Sequence, residues 1–456
     1  MKEEIKRLIQ NIIYIMMGLQ ILLGILWMGE SLSGMSRFEE STELLHMSET
    51  LCMDEYTGIL YPPLIRLMNI CGNLFQLPGY SFLYVLQLTA ALFSYGYFLK
   101  KIVFSETEMN LRLKGKIVFF AFFVMTVPPI AQCHVAILPY SFASSAMVVL
   151  LAETIKLWKK EYSLTNMDIL RIAVSWGLSA MILPDYAWLG GVAVVLSVLR
   201  YIILHKKLVV KLLAMCLTTS LVICGFNVAF QTEGSMGRIQ RSAEAVMLQR
   251  VVWPHFATFQ YFWCDEVKEL WDEASLKSLA MYPETVIYEF GPKLEAAHGK
   301  EYANVIYWEM IKRVYSLNTK EILLRIMEDI VAYICPPLTM LLQLQGMGVS
   351  YTGWNYGRMT DYAPGLTMYY VKFSLYAWTF MLMLSAVLKL FSLREKGTEK
   401  GERIGGYLCV VSVAVNLWYV IFSGNMQDYK KLMVNSILWA FLIVKVLRNI
   451  TKQIGE

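Results

Sequence analysis

The sequence predicts an all-α protein: a polytopic membrane helix bundle of about ten spans, with amphipathic interface helices and a helical outer segment. Three observations carry that expectation. Of 456 residues, 57% are hydrophobic and 17% charged, against about 45–50% and about 25% in soluble domains. Apolar runs of roughly 18 or more residues recur, each long enough to cross about 30 Å of hydrocarbon as a helix. Lys and Arg fall on alternate sides of those runs, as the positive-inside rule requires.

The runs place spans near 9–28, 79–99, 117–135, 138–157, 170–184, 186–204, 210–230, 368–392, 405–423 and 431–447. The fifth is the shortest and has Arg171 near its start. With the amino terminus cytoplasmic, short inner segments hold more than half of the 41 Lys and Arg, from Lys2, Lys6 and Arg7 to Lys445, Arg448 and Lys452. Short outer segments hold only Arg37, Arg66, Lys430 and Lys431. An even span count in a cell membrane, with both termini cytoplasmic, fits this asymmetry. The net charge of +5 therefore reports topology and implies no nucleic-acid partner. The first apolar run is longer than a signal-peptide core and no A-x-A site follows, so it reads as a retained anchor.

Three regions follow. Residues 1–230 form a membrane bundle of spans one to seven, with a first outer loop at 29–78. Within that loop, 36–50 and 63–77 show helical apolar spacing and read as helices lying along the interface. Residues 231–366 form an extracytoplasmic, mostly helical segment. Its semi-apolar stretch 322–345 carries Arg325, Glu328 and Asp329, each costing about 2.5–3.5 kcal/mol in lipid on insertion scales, which places it outside the membrane. Residues 367–456 hold the last three spans. The eight cysteines lack CxxC spacing. Cys52 and Cys71 share the first outer loop, where the unpaired reading outweighs a disulfide, and Cys133, Cys216, Cys224 and Cys409 read as small buried apolar residues.

Chemistry concentrates on the outer side. The first loop carries Asp54-Glu55 and then Tyr61-Pro62-Pro63-Leu64. A general base needs hydrogen-bond reach to a hydroxyl and a pKa raised by burial, which the mouth of a helical bundle supplies. The pair also reads as part of a solvated acidic loop, since Glu39, Glu40, Glu43 and Glu49 stand nearby. Pro62 pushes Tyr61 towards extended geometry and Pro63 starts the next helix, a turn that would hold the acids at constant depth. Asp185, after Pro184, reads as a helix N-cap or as a polar group facing the cavity from the opposite wall.

Lys430 and Lys431 break the positive-inside trend, either clamping a lipid phosphate or snorkelling to outer headgroups. Arg358, in GWNYGRMTDYAPGLT, is a second phosphate candidate. Its aromatic neighbours would stack on a sugar or mark an interface belt. His134 and His255 are lone histidines, so no metal site is expected. Neither GxSxG nor a Ser-His-Asp set is present, and no nucleotide-binding fingerprint occurs.

These residues resemble the C-type superfamily of integral-membrane glycosyltransferases, multi-span enzymes that use sugars linked to polyprenyl phosphate. The resemblance lies in the acidic pair followed by a tyrosine and two prolines, in Asp185 after Pro184, and in the basic-aromatic step Asp428-Tyr429-Lys430. The position of the long outer segment adds to it. This chain would be a divergent member, with Leu183 where an arginine is usual. The resemblance implies that Asp54 or Glu55 is the general base. It implies that Lys430 and Lys431 face the lipid phosphate and that Asp185 lines the pocket; Tyr61 and Arg358 are the further substrate-binding candidates. It implies no cofactor or metal. The partners it implies are a lipid-linked sugar donor, membrane lipid, and an acceptor glycan, lipid or protein.

The leading expectation is thus a hexosyltransferase-type enzyme acting on the outer face of the membrane. The alternative is a non-enzymatic membrane protein: a transporter or flippase of a lipid-linked or polar solute, or a cell-envelope assembly partner. Transport predicts charged or broken helices near the bilayer midplane, whereas here the polar groups crowd the outer side.

Overall fold

A computed structural model describes residues 2–34, 39–51, 58–77, 80–104, 111–158, 162–183, 185–205, 210–229, 264–272, 274–275, 290–338, 341 and 364–392. Regular structure in these residues is helical, with no β-strand among them. The chain divides into two units: residues 1–232 with 357–413 and 430–456, and residues 233–356 with 414–429.

The first unit is a helix bundle. Its elements are α1 Lys2–Gly34, α2 Glu39–Thr50, α3 Tyr61–Leu74, α4 Ser81–Phe98, α5 Leu111–Met125, α6 Pro128–His134 and α7 Tyr140–Lys156. They continue with α8 Asn166–Ile182, α9 Asp185–His205 and α10 Val210–Ala229. On α1 the two faces separate by helical spacing. Ile13, Met17, Gln20 and Trp27 turn inward and are buried. Leu8, Ile12, Ile15, Leu19, Leu22 and Leu26 form an outward stripe, each more than 40% exposed. An apolar face that long is foreign to a water-washed surface.

Among the described residues, two helices are long and apolar enough to cross a membrane, Asn11–Gly29 and Ser81–Ile102. A third span arises if a bent pair is taken as one, and Leu189–His205 and Val210–Ile223 are shorter apolar helices. Expected spans 405–423 and 431–447 lie outside the described residues.

The third expected span is not one straight helix. Lys114–Met125 and Pro128–His134 meet at 80°. Pro128 and Pro129 explain the break: neither donates a backbone N–H, and the ring of each clashes with a continuing turn. In a dry interior the freed carbonyls need donors, and side chains from other helices supply them. Gln20 Nε2 donates to Thr126 O at 2.8 Å, and the Tyr370 hydroxyl donates to the same oxygen. Gln87 Nε2 donates to His134 O at 2.9 Å and to Ala136 O at 3.0 Å. Ser41 Oγ donates to Ile137 O at 3.0 Å. Residues 125–141 are buried throughout.

Helix α8 begins with a complete capping box. The Thr165 hydroxyl accepts from the Asp168 N–H, and the Asp168 carboxylate accepts from the Thr165 N–H at 3.0 Å. Arg171, the basic residue of the short fifth span, lies 3.7 Å from Asp168 with its side chain 41% exposed. On α7, Lys156 Nζ pairs with Glu153 at 2.6 Å, both buried, and the Tyr97 hydroxyl donates to the same carboxylate oxygen.

In the second unit, α11 Asp265–Leu270 precedes α12 Gly291–His298 and the long α13 Lys300–Ile334. Its core joins Cys264, Val267, Trp271, Phe290, Leu294, Ala303, Ile306, Tyr307 and Met310. Trp271 and Phe290 stack at 4.8 Å, and Lys293 Nζ lies 4.7 Å from the centre of the Trp271 ring. Helix α13 runs unbroken through 322–334 and is not among the helices apolar enough to cross a membrane. A last described helix, α14 Pro364–Ser392, belongs to the first unit and packs on α1, where Trp27 Nε1 donates to Thr367 Oγ1 at 3.1 Å.

Candidate functional site

The described end of the loop expected over 29–78 sits directly on the turn between α8 and α9. Leu60 N–H donates to Met181 O at 3.2 Å, and Tyr61 N–H donates to Gly58 O at 3.3 Å. Gly58 is buried against that turn. A Cβ there would stand 2.1 Å from Met181 O and 2.5 Å from both the carbonyl carbon and oxygen of Ile182. Only glycine permits so close a backbone approach.

The turn itself is short. Leu183 is extended, at φ −138° and ψ 105°, its N–H donating to Ser179 O at 2.9 Å. Helix α9 then opens at Asp185. Asp185 is therefore the first helical residue, with Tyr186 N–H bonded to Leu183 O at 2.9 Å. An acid at that position suits the positive end of the helix dipole. Gly58, three positions after Glu55, thus rests on carbonyls three and four positions before Asp185.

Tyr61 departs from its expected geometry. It is the first residue of α3, not an extended residue before it, because Leu60 already has helical angles (φ −88°, ψ −25°). Pro62 and Pro63 then occupy the first turn, where a missing N–H leaves no helical bond unmade. Tyr61 is fully buried, and its hydroxyl donates to Gln87 Oε1 at 2.9 Å. Burial, then the nearby Tyr84 phenol, hold that hydroxyl well above its ordinary pKa, so it stays protonated. The ring anchors α3 to the bundle.

Gln87 is the hub of this region. It accepts from Tyr61 and donates to the carbonyls of His134 and Ala136. His134, 2% exposed, has Nδ1 2.9 Å from Ser141 Oγ, while its Nε2 meets no partner. Sequence reasoning missed Gln87 and Gly58. A glutamine alone in the apolar run SFLYVLQLTAALFSYGYF was the available signal, since an amide inside a span needs partners on other helices. Nothing local marks Gly58.

Asp54, Glu55, Arg358, Lys430 and Lys431 lie outside the described residues. Asp185 is placed by its backbone alone. Cys71 has a free thiol, Cys52 lies outside the described residues, and Cys216 is half-buried where full burial was expected. Cys133 is buried as expected. Among the described residues no three His, Cys, Asp or Glu side chains are grouped to hold a metal ion. No protein-family model, curated protein or solved structure matches this chain.

Proposed function

We propose that this protein is a membrane glycosyltransferase that moves a sugar from a polyprenyl-phosphate carrier to an acceptor on the outer face of the membrane. One observation carries the reading: Gly58 and Leu60 seat the first loop on the turn that leads into Asp185. Three residues of chain reach about 10 Å at most. Asp185 follows the carbonyls that Gly58 touches by three and four positions, and Glu55 precedes Gly58 by three. The reading has acidic groups from these two distant parts of the sequence act together there. The motif resemblance to polyprenyl-phosphate-dependent transferases supplies the reaction.

In that reaction, Asp54 or Glu55 takes the proton of the acceptor hydroxyl. The acceptor oxygen attacks the anomeric carbon from the face opposite the phosphate. The bond from that carbon to the phosphate oxygen breaks, with inversion. The carrier leaves as a phosphate monoester, whose charge needs cationic or amide partners more than a proton. Lys430, Lys431 and Arg358 are the cations proposed for it, and Asp185 lines the pocket. The test is transfer from polyprenyl-phosphate-linked hexoses in proteoliposomes, with Asp54→Asn and Glu55→Gln made separately. One of the two should lower transfer about 100-fold or more. Full transfer by both would remove the base assignment.

The alternative, transport of a lipid-linked or polar solute, draws on the 80° break between α5 and α6, since broken helices line many transporter sites. The carbonyls of Thr126, His134, Ala136 and Ile137 each already accept from a side chain. A break whose acceptors are occupied is better suited to packing than to coordinating a moving ion. Solute uptake by the same proteoliposomes, without transfer, would favour the alternative.

A further inference from the structure

Helix α3 divides its surface into three sectors. At about 100° per residue, Tyr61, Ile65, Met68 and Gly72 fall on one side and are buried against the bundle. Leu67, Ile70, Leu74 and the capping residue Phe75 fall on a second side, each more than half exposed. Arg66, Asn69 and Asn73 make a polar strip on a third, with Arg66 and Asn73 exposed and Asn69 half-buried. An apolar sector beside a polar one, with protein behind both, suits a helix lying where lipid meets water.

Both ends of α3 are held to α4, a helix long and apolar enough to cross a membrane. The Tyr61 hydroxyl donates to Gln87 Oε1 at 2.9 Å, and the Phe75 ring stacks on Phe82 at 6.1 Å. Phe82 and Gln87 stand in the first two turns of α4, about 8 Å apart along its axis, whereas α3 is about 21 Å long. Helix α3 therefore runs more across α4 than along it. Its end is closed by two bonds, Leu77 N–H to Gly72 O at 2.9 Å and Gln76 N–H to Asn73 O at 3.2 Å. Gln76 takes the left-handed conformation, at φ 55°, that this stop requires. The chain then enters α4, on which Val85, Leu92 and Phe93 are also exposed. The apolar sector of α3 thus continues onto the outward face of a candidate span.

We propose that the exposed apolar face of α3 is a lipid-docking surface. Leu67, Ile70, Leu74 and Phe75 sink into the boundary between phospholipid headgroups and acyl chains, while Arg66 and Asn73 stay in the aqueous headgroup layer. Continuity commits the face to lipid. Six residues separate Leu74 from Ser81, so α4 cannot enter a bilayer without drawing the end of α3 to its surface. The crosswise lie then keeps α3 near the membrane plane. A protein partner covering Leu74 and Phe75 would have to displace lipid from the adjoining face of α4. The polar strip agrees, since a guanidinium at headgroup level meets lipid phosphate. The seating also fixes a depth. Gly58 stands three positions before Tyr61 and rests on the α8–α9 turn, so that turn takes its level in the membrane from α3. The inference holds with or without the transferase reading.

The test places nitroxide labels at Ile70→Cys, Leu74→Cys and Asn73→Cys, one at a time. The full chain, its native cysteines replaced, is held in nanodiscs of phosphatidylcholine and phosphatidylglycerol. Power saturation compares collisions with oxygen, which concentrates in lipid, against collisions with a water-soluble nickel chelate. Labels at 70 and 74 should favour oxygen and lie about 5–10 Å below the headgroup surface. The label at 73, one residue from 74 but on the polar strip, should favour the chelate. The proposal is overturned if 70 and 74 meet the chelate as freely as 73 does, or if they lie at the bilayer centre. Shielding of 70 and 74 from both reagents would also overturn it and give the face to a second copy of the chain. A benzophenone amino acid at position 74, with every native cysteine kept, guards against loss of fold in the labelled chain. Irradiation should attach phospholipid to it, read by mass spectrometry, and a protein adduct in its place would count against lipid.

Discussion

Gly58 is the residue on which the placement of the loop before α3 turns. A methyl group there would overlap the backbone of Met181 and Ile182, and backbone cannot swing aside as a side-chain tip can. Gly58→Ala should lower stability by about 1–3 kcal/mol, as overpacking does, with a fall in transfer larger than stability alone explains. Unchanged melting and unchanged transfer would show that the loop does not sit there. Tyr61→Phe keeps the buried ring but leaves Gln87 Oε1 without its donor. A cost of about 1–3 kcal/mol is expected in thermal unfolding. The cysteines give a third readout. Burial pushes the Cys264 thiol up to about 11, whereas Cys71 is only half-buried. Maleimide at neutral pH should label Cys71 and spare Cys264 until the chain unfolds.

Among the elements, the broken α5–α6 pair depends most on its neighbours. One amide, Gln87, satisfies two of its carbonyls and the Tyr61 hydroxyl at once. Gln87→Leu fits an apolar span yet removes a partner from three buried groups, of which only Ala136 O keeps a backbone donor, the Leu138 N–H. Its cost should exceed that of Tyr61→Phe several-fold, and equal melting temperatures for the two variants would contradict the hub role. At the other end of the bundle, α8 is sensitive to acid. Burial would raise the Asp168 pKa, but hydrogen bonds from Thr165 and Tyr162 outweigh it and leave the carboxyl below its usual value. A carboxyl whose folded pKa lies under the unfolded value of about 3.9 stabilises the protein above that pH. The contribution is lost as pH falls through the folded value. Asp168→Asn should flatten the melting profile in that acid range and cost stability at neutral pH.

For the molecule as a whole, the helical class was legible because composition and apolar run length report it directly. Helices α1 and α4 followed their apolar runs closely, Lys2–Gly34 over 9–28 and Ser81–Phe98 over 79–99. The break at Pro128-Pro129 was written in the residues too, but hydropathy averages across it. Its donors come from residues as distant as Gln20 and Tyr370, which no window connects. The helix expected over 63–77 appeared as α3, starting at Tyr61 because Leu60 was already helical. Of the expected site, Tyr61 proved an anchor, and Asp185 opens a helix against the loop's docking turn. That docking depends on a single glycine meeting a backbone more than a hundred residues away, a contact with no periodic signature.

The account stands on the acidic loop and the start of α9 sharing one outer pocket. Paired cysteines at Glu55 and Asp185, on a chain otherwise free of reactive thiols and held in its native membrane, test this most directly. A Leu60/Met181 pair, bridged in the structure by a backbone hydrogen bond of 3.2 Å, is the control. With a membrane-impermeant cross-linker about 10 Å long, both pairs should link, and the link between 55 and 185 should abolish sugar transfer. A control pair that links while 55 and 185 stay apart would contradict the account.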